Sequence, residues 1–183
     1  MARSPIRAIL LIDGYNIIGA WPELQRTRDG IGLESARSQL VEVLINYSAF
    51  KGFDTRLVFD AYSQPTPCVK ERVTQNLAIH YTEFGQTADS YIEKACAKFR
   101  NDVRKFDHRL IVATSDRAQQ LTVVGYGAEW MSAARLALDV TTAQRRVKQK
   151  LRPQKRSSKQ FLVSSLDPQA QAKLARLRLG LDQ

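Results

Sequence analysis

Cysteine is nearly missing from this sequence. Cys68 and Cys96 are the only two in 183 residues, and neither has a second Cys or a His at ligand spacing. This argues against a disulfide framework or a zinc site and fits a reducing, cytoplasmic setting. Histidine is equally scarce, and His80 and His108 stand isolated, where a solvated or hydrogen-bonded structural role outweighs catalysis. Long apolar runs are absent too. The stretch Ala8-Ile9-Leu10-Leu11-Ile12 is interrupted by Asp13 after five residues, too short for a secretory core or a membrane span. No G-x-G-x-x-G follows that stretch, and the sequence holds neither a P-loop nor a nucleophile elbow.

What the chain has in excess is positive charge, and it is unevenly placed. Residues 1–142 carry 17 basic and 16 acidic side chains, whereas residues 143–183 carry 11 and 2. With 44% apolar residues, 183 positions suffice for one ordinary core. The expected organisation is therefore a nearly neutral domain over residues 1–147 and a cationic extension over 148–183. Lys148, Lys150, Arg152, Lys155, Arg156 and Lys159 form a basic arm in that extension. Such an arm suits a polyanion, RNA above all, because each cation can displace condensed counterions from a phosphate. Asp167-Pro168 can start a last helix whose Leu174, Leu177 and Leu181 share a face.

The apolar run at 8–12 reads as a strand buried on both faces, ending in a tight loop at Asp13-Gly14-Tyr15-Asn16. Leu33, Ala36, Leu40, Val43, Leu44 and Tyr47 recur at helical spacing up to a stop at Gly52. Strand character returns at 55–61, weakly at 77–82 after a proline-containing loop, then at 109–114 and 128–131. Helices are expected from Thr87 to about Phe106, with Ile92, Ala95, Cys96, Phe99 and Val103 inward, and from Ser132 to Val147. This alternation predicts an α/β fold with a central, mainly parallel sheet of four or five strands.

The acids fall where such a sheet gathers its chemistry. Asp13 and Asp116 each follow a strand and Asp60 lies near the end of one, and ligands of open parallel sheets bind beyond the carboxyl ends of the strands. Asp89 and Glu93 lie four apart at the start of a helix and so share one face. Clustered carboxylates without His or Cys suit a hard cation, Mg²⁺ or Mn²⁺, which can polarise a phosphoryl group and activate water. Asn16 and Gln119 or Gln120 could orient a carboxylate, the water or a phosphate. Each acid also has an ordinary reading, as a helix cap, a turn former or a surface residue. Tyr15, Trp21 and Tyr62 could stack on unpaired bases, or simply pack their loops.

Four segments, Leu11-Ile-Asp-Gly-Tyr-Asn-Ile17, Val58-Phe-Asp-Ala61, Thr87-Ala-Asp-Ser-Tyr-Ile-Glu93 and Thr114-Ser-Asp-Arg-Ala-Gln-Gln120, resemble in order and spacing the NYN domains, a branch of the PIN-like nucleases. Within that branch the chain is most similar to the YacP-type group of ribosome-associated endoribonucleases. The resemblance implies a PIN-like, Rossmannoid three-layer sandwich and metal-dependent cleavage of RNA, with messenger RNA on the ribosome as a candidate substrate. It implies Asp13, Asp89 and Asp116 as principal metal ligands, Asn16 and Glu93 as supporting residues, and Asp60 as a fourth acid. Two other readings stay open: a non-catalytic RNA- or ribosome-binding module, and a small-molecule phosphoryl enzyme on the same sheet.

Overall fold

The computed structural model describes residues 7–60 and 69–151. Its elements run β1 (Arg7–Asp13), α1 (Gly14–Ala20), α2 (Pro22–Gly30), α3 (Leu33–Lys51), β2 (Asp54–Phe59), β3 (Val69–Thr74), β4 (Leu77–Tyr81), α4 (Ala88–Arg100), a 3₁₀ turn (Val103–Phe106), β5 (His108–Ala113), α5 (Arg117–Gly125), β6 (Glu129–Met131) and α6 (Ala133–Leu151). The sheet has six strands in the order β3-β4-β2-β1-β5-β6. All neighbours pair in parallel except β3, which pairs antiparallel with β4.

β1 is central, so both its faces must be apolar. Ala8, Leu10 and Ile12 join one core with Leu40 and Leu44 of α3 and Leu136 and Val140 of α6. Ile9 and Leu11 join a second core with Ile92 and Cys96 of α4 and Val123 of α5. Successive strand side chains point to opposite faces, and this alternation divides the run between two helical layers. After β1 the chain steps to β2 on one side; from β4 it crosses to β5 and β6 on the other. Crossovers of one hand then place their helices on opposite faces, and the order of strands reverses beside β1.

Several sequence expectations need correction. A sixth strand, β3, lies where a loop over 62–76 was expected; it alternates Lys70, Arg72 and Thr74 with Val69, Glu71 and Val73, charged enough to serve as a protected edge. Asp13-Gly14-Tyr15-Asn16 does not form a simple loop but starts α1, because Asp13 caps it by accepting the Asn16 N–H at 3.1 Å. The helix expected to reach Phe106 stops at Arg100, and Val103, expected to face inward, is 80% exposed. Asp102 interrupts it by capping the 3₁₀ turn instead. α6 continues past Val147 to Leu151, since no helix breaker intervenes before Pro153. Lys148 and Lys150 are therefore helical residues; Arg152, Lys155, Arg156, Lys159 and the leucine-faced last helix lie outside the described residues. Among the described residues no helix is long and apolar enough to cross a membrane.

Candidate active site

The carboxyl ends of β1, β2 and β5 deliver three aspartates to the switch in strand order. Asp13 is the last residue of β1, Asp60 follows β2, and Asp116 precedes α5. Asp89 enters from the first turn of α4. Gly14 lets the first corner turn closely, because a Cβ there would run into the Phe59 ring.

Backbone amides organise most of these acids. Asp116 caps α5, its Oδ1 accepting the N–H groups of Ala118 at 2.7 Å and Gln119 at 3.0 Å. Asp60 accepts the Ala88 N–H at the start of α4. Asn16 ties two corners together: its Oδ1 accepts the N–H of Ser115, 99 residues away, at 2.7 Å. Ser115 Oγ in turn accepts the N–H of Ala133 at 3.2 Å, anchoring the start of α6. Gln119 is buried and donates through Nε2 to Asp89 Oδ1 at 2.5 Å, while its Oε1 has no partner. Glu93, one turn beyond Asp89, accepts from the Tyr126 hydroxyl at 3.4 Å.

Asp13 carries the electrostatic strain. It is 8% exposed, and burial pushes its pKa to about 6, against the stabilising Asn16 N–H and with further upward pressure from Asp89, Asp60 and Asp116. Asp89 is raised as well, first by desolvation and then by Asp116 and Asp60, with Gln119 opposing. Asp13 and Asp89 thus both feel the charges of Asp60 and Asp116. The four aspartates do not form a ready-made cage: among the described residues no three His, Cys, Asp or Glu side chains are placed to hold one ion. The donor set still fits Mg²⁺ or Mn²⁺, since the oxygens are hard and Mg²⁺ keeps much of its water while taking one or two carboxylates.

Trp21 and Tyr15 pack their own segments, the second of the two roles expected for them. Trp21 donates its indole N–H to the Ala133 carbonyl at 2.8 Å, and Tyr15 packs on Phe59 with the Arg37 guanidinium 5.1 Å from its ring centre. Tyr62 lies outside the described residues. His80 is structural, as expected, its Nδ1 2.7 Å from the Tyr91 hydroxyl. Ser115, which links Asn16 to the start of α6, was quoted in sequence only as the neighbour of Asp116 and given no role of its own.

A mostly parallel sheet with helices on both faces and acids collected at its strand-order switch defines a doubly wound α/β domain. The family model of the YacP-like NYN domain matches residues 10–179, and the chain belongs to that family. It is 35% identical over 144 residues to the YacP protein of Bacillus subtilis, covering 79% of this chain and 81% of that protein. Two crystal structures of Bacillus subtilis Rae1 (YacP) share the fold. One matches with a TM-score of 0.65 at 32% identity, covering 94% of this chain and 95% of that one. The other, of a point mutant, matches with a TM-score of 0.67 at 28% identity, covering 93% and 99%.

Proposed function

We propose that this chain is a metal-dependent endoribonuclease that hydrolyses RNA phosphodiester bonds, with messenger RNA on the ribosome as its substrate setting. The observation that carries the reading is the buried, electrostatically strained Asp13 facing Asp60, Asp89 and Asp116. Mutual repulsion in a cleft is relieved by a divalent cation, which is also what a phosphodiester's negative charge requires. Asp13, Asp89 and Asp116 would hold Mg²⁺ or Mn²⁺, which when bound supplies Lewis-acid polarisation of the phosphoryl group and a more acidic water.

The rest is done by the chain itself. Gln119, itself buried, holds Asp89 in place through its Nε2. Asn16 fixes the β1 and β5 corners against each other, so that Asp13 and Asp116 keep their separation. Glu93 extends the acidic face by one turn, and the amides gripping Asp60 and Asp116 leave each carboxylate its other oxygen. In the extension, Lys148, Lys150, Arg152, Lys155, Arg156 and Lys159 add phosphate affinity without sequence preference.

The test is cleavage of an RNA panel with and without ribosomes, in Mg²⁺, Mn²⁺ or EDTA, by the parent and by Asp13→Asn and Asp89→Asn. Metal-dependent cutting by the parent that both variants lose supports the reading; intact RNA throughout, or equal cutting by the variants, ends it. The lack of a preformed cage among the described residues favours one alternative, a non-catalytic RNA- or ribosome-binding module. That module binds RNA in a salt-sensitive, EDTA-insensitive way and never cuts it.

A further inference from the structure

The two flanks of α4 carry opposite charge. Asp89 and Glu93 lie on the flank toward α5, where Gln119 and Tyr126 meet them. The other flank lines a cavity of about 440 Å³ whose floor is Ile9, Leu11 and Leu110. Lys94 and Lys98 stand on its wall, joined by Arg56 and Arg104. Arg56 pairs with Asp54 at 3.2 Å and Arg104 with Asp102 at 2.6 Å, but Lys94 and Lys98 make no ion pair among the described residues. They are an i, i+4 pair of like charges, a mildly repulsive arrangement that an anion relieves.

Two exposed aromatic rings are chain neighbours of residues that line this cleft, one before α4 and one after it. Phe84, 69% exposed, lies between the lining residues Glu83 and Gln86 in the loop that leads into α4, on the side of the acidic crevice. Phe106, 77% exposed, lies in the 3₁₀ turn beyond α4, two residues after the lining Arg104, with Lys105 Nζ 5.3 Å from its ring centre. Exposed rings beside a cationic groove can stack on unpaired bases while the lysines take phosphates. The 13 residues of α4 span about 20 Å, enough for several nucleotides.

We infer that the Lys94–Lys98 flank of α4 is the track for single-stranded RNA leaving the acidic crevice, with Phe84 and Phe106 stacking on bases and the two lysines taking phosphates. The inference rests on the nuclease reading for its direction, and its test is independent of cleavage. Binding of a fluorescein-labelled single-stranded oligoribonucleotide is followed by anisotropy in EDTA, for the full chain and for K94A/K98A and F84A/F106A. All four side chains are exposed or rim-lying, and thermal melts verify that the variants fold. K94A/K98A is expected to weaken binding about tenfold at low salt and to flatten the log–log salt slope by about 1.4, the value for two phosphates on a single strand. F84A/F106A is expected to weaken the single strand about tenfold and to leave a duplex of equal length unaffected.

Unchanged affinity in either double variant overturns the track, as is expected if the cleft takes a protein; equal losses on the duplex overturn its preference for single strands. If the parent binds as described but cuts nothing in Mg²⁺ or Mn²⁺, the track stands and the nuclease reading falls.

Discussion

The two faces of the sheet solve different problems. The face covered by α1, α2, α3 and α6 is a continuous apolar layer in which Leu10, Leu40, Leu44, Leu57, Phe59 and Leu136 are fully buried. The face covered by α4 and α5 has a smaller core, and the polar work gathers around it: the Gln119–Asp89 bond, neutral His80, and the Lys94–Lys98 cleft. Burial on the first face offsets the cost of desolvating charge on the second. One strand, β1, serves both, with Leu10 and Ile12 anchoring the first layer, Ile9 and Leu11 the second, and Asp13 ending it at the crevice.

If this division is sound, substitutions on the two faces separate activity from stability. The largest effect belongs to Asp13→Asn, which is expected to lower the metal-dependent cleavage rate by about 10²- to 10³-fold while the protein stays folded, measured by RNA cleavage beside a thermal melt. Leu40→Ala, wholly within the first layer, is expected to cost about 2–5 kcal/mol in denaturant unfolding and to leave the cleavage rate of the folded fraction unchanged. An activity loss larger than the loss of folded protein would contradict the division of labour.

The strain at Asp13 has a pH signature in metal-free protein. The folded state holds the proton up to about pH 6 while the unfolded chain releases it near 3.8, so stability from this group is complete below 3.8 and lost as pH rises through 6. Asp13→Asn keeps a good helix cap, so it should gain on the order of 3 kcal/mol over the parent above pH 7 and nothing near pH 3. Unfolding curves across that range check it, and a constant difference would refute the strain.

Gly14→Ala probes the junction of the two faces. Its Cβ meets the Phe59 ring, so the expected cost is about 1–3 kcal/mol in unfolding, together with reduced cleavage as the Asp13 corner shifts. The smallest effect is expected from Gln119→Leu, which frees Asp89 without emptying the site: about a tenfold fall in rate, close to 1.4 kcal/mol, with restored activity in Gln119→Asn absent because the shorter amide does not reach.

Much of this was legible from residue order. The run at 8–12, the periodicity of 33–51, the Gly52 stop in a left-handed conformation at φ 68° and the Thr87 cap all act through neighbours in the chain, and each appears as expected. α1 and β3 were not legible. Asp-Gly-Tyr-Asn spells a turn until Asp13 turns inward as a cap, and the charged β3 has little strand character until β4 offers its edge. Around the site, the five acids and Asn16 could be named in sequence, and Gln119 as one of two candidates. What could not be read is the hydrogen bond from Ser115 to Asn16 or from Gln119 to Asp89, since those partners lie 99 and 30 residues apart.

Local order therefore determined which segments could be strands or helices and which of them ended in a carboxylate, because propensity, capping and alternation act over a few residues. Only the folded sheet decided that those ends meet. The reversal of strand order beside β1 brings distant acids to one sheet edge, where Asp13 alone is buried, and its charge becomes costly there because its neighbours are supplied by packing rather than by sequence.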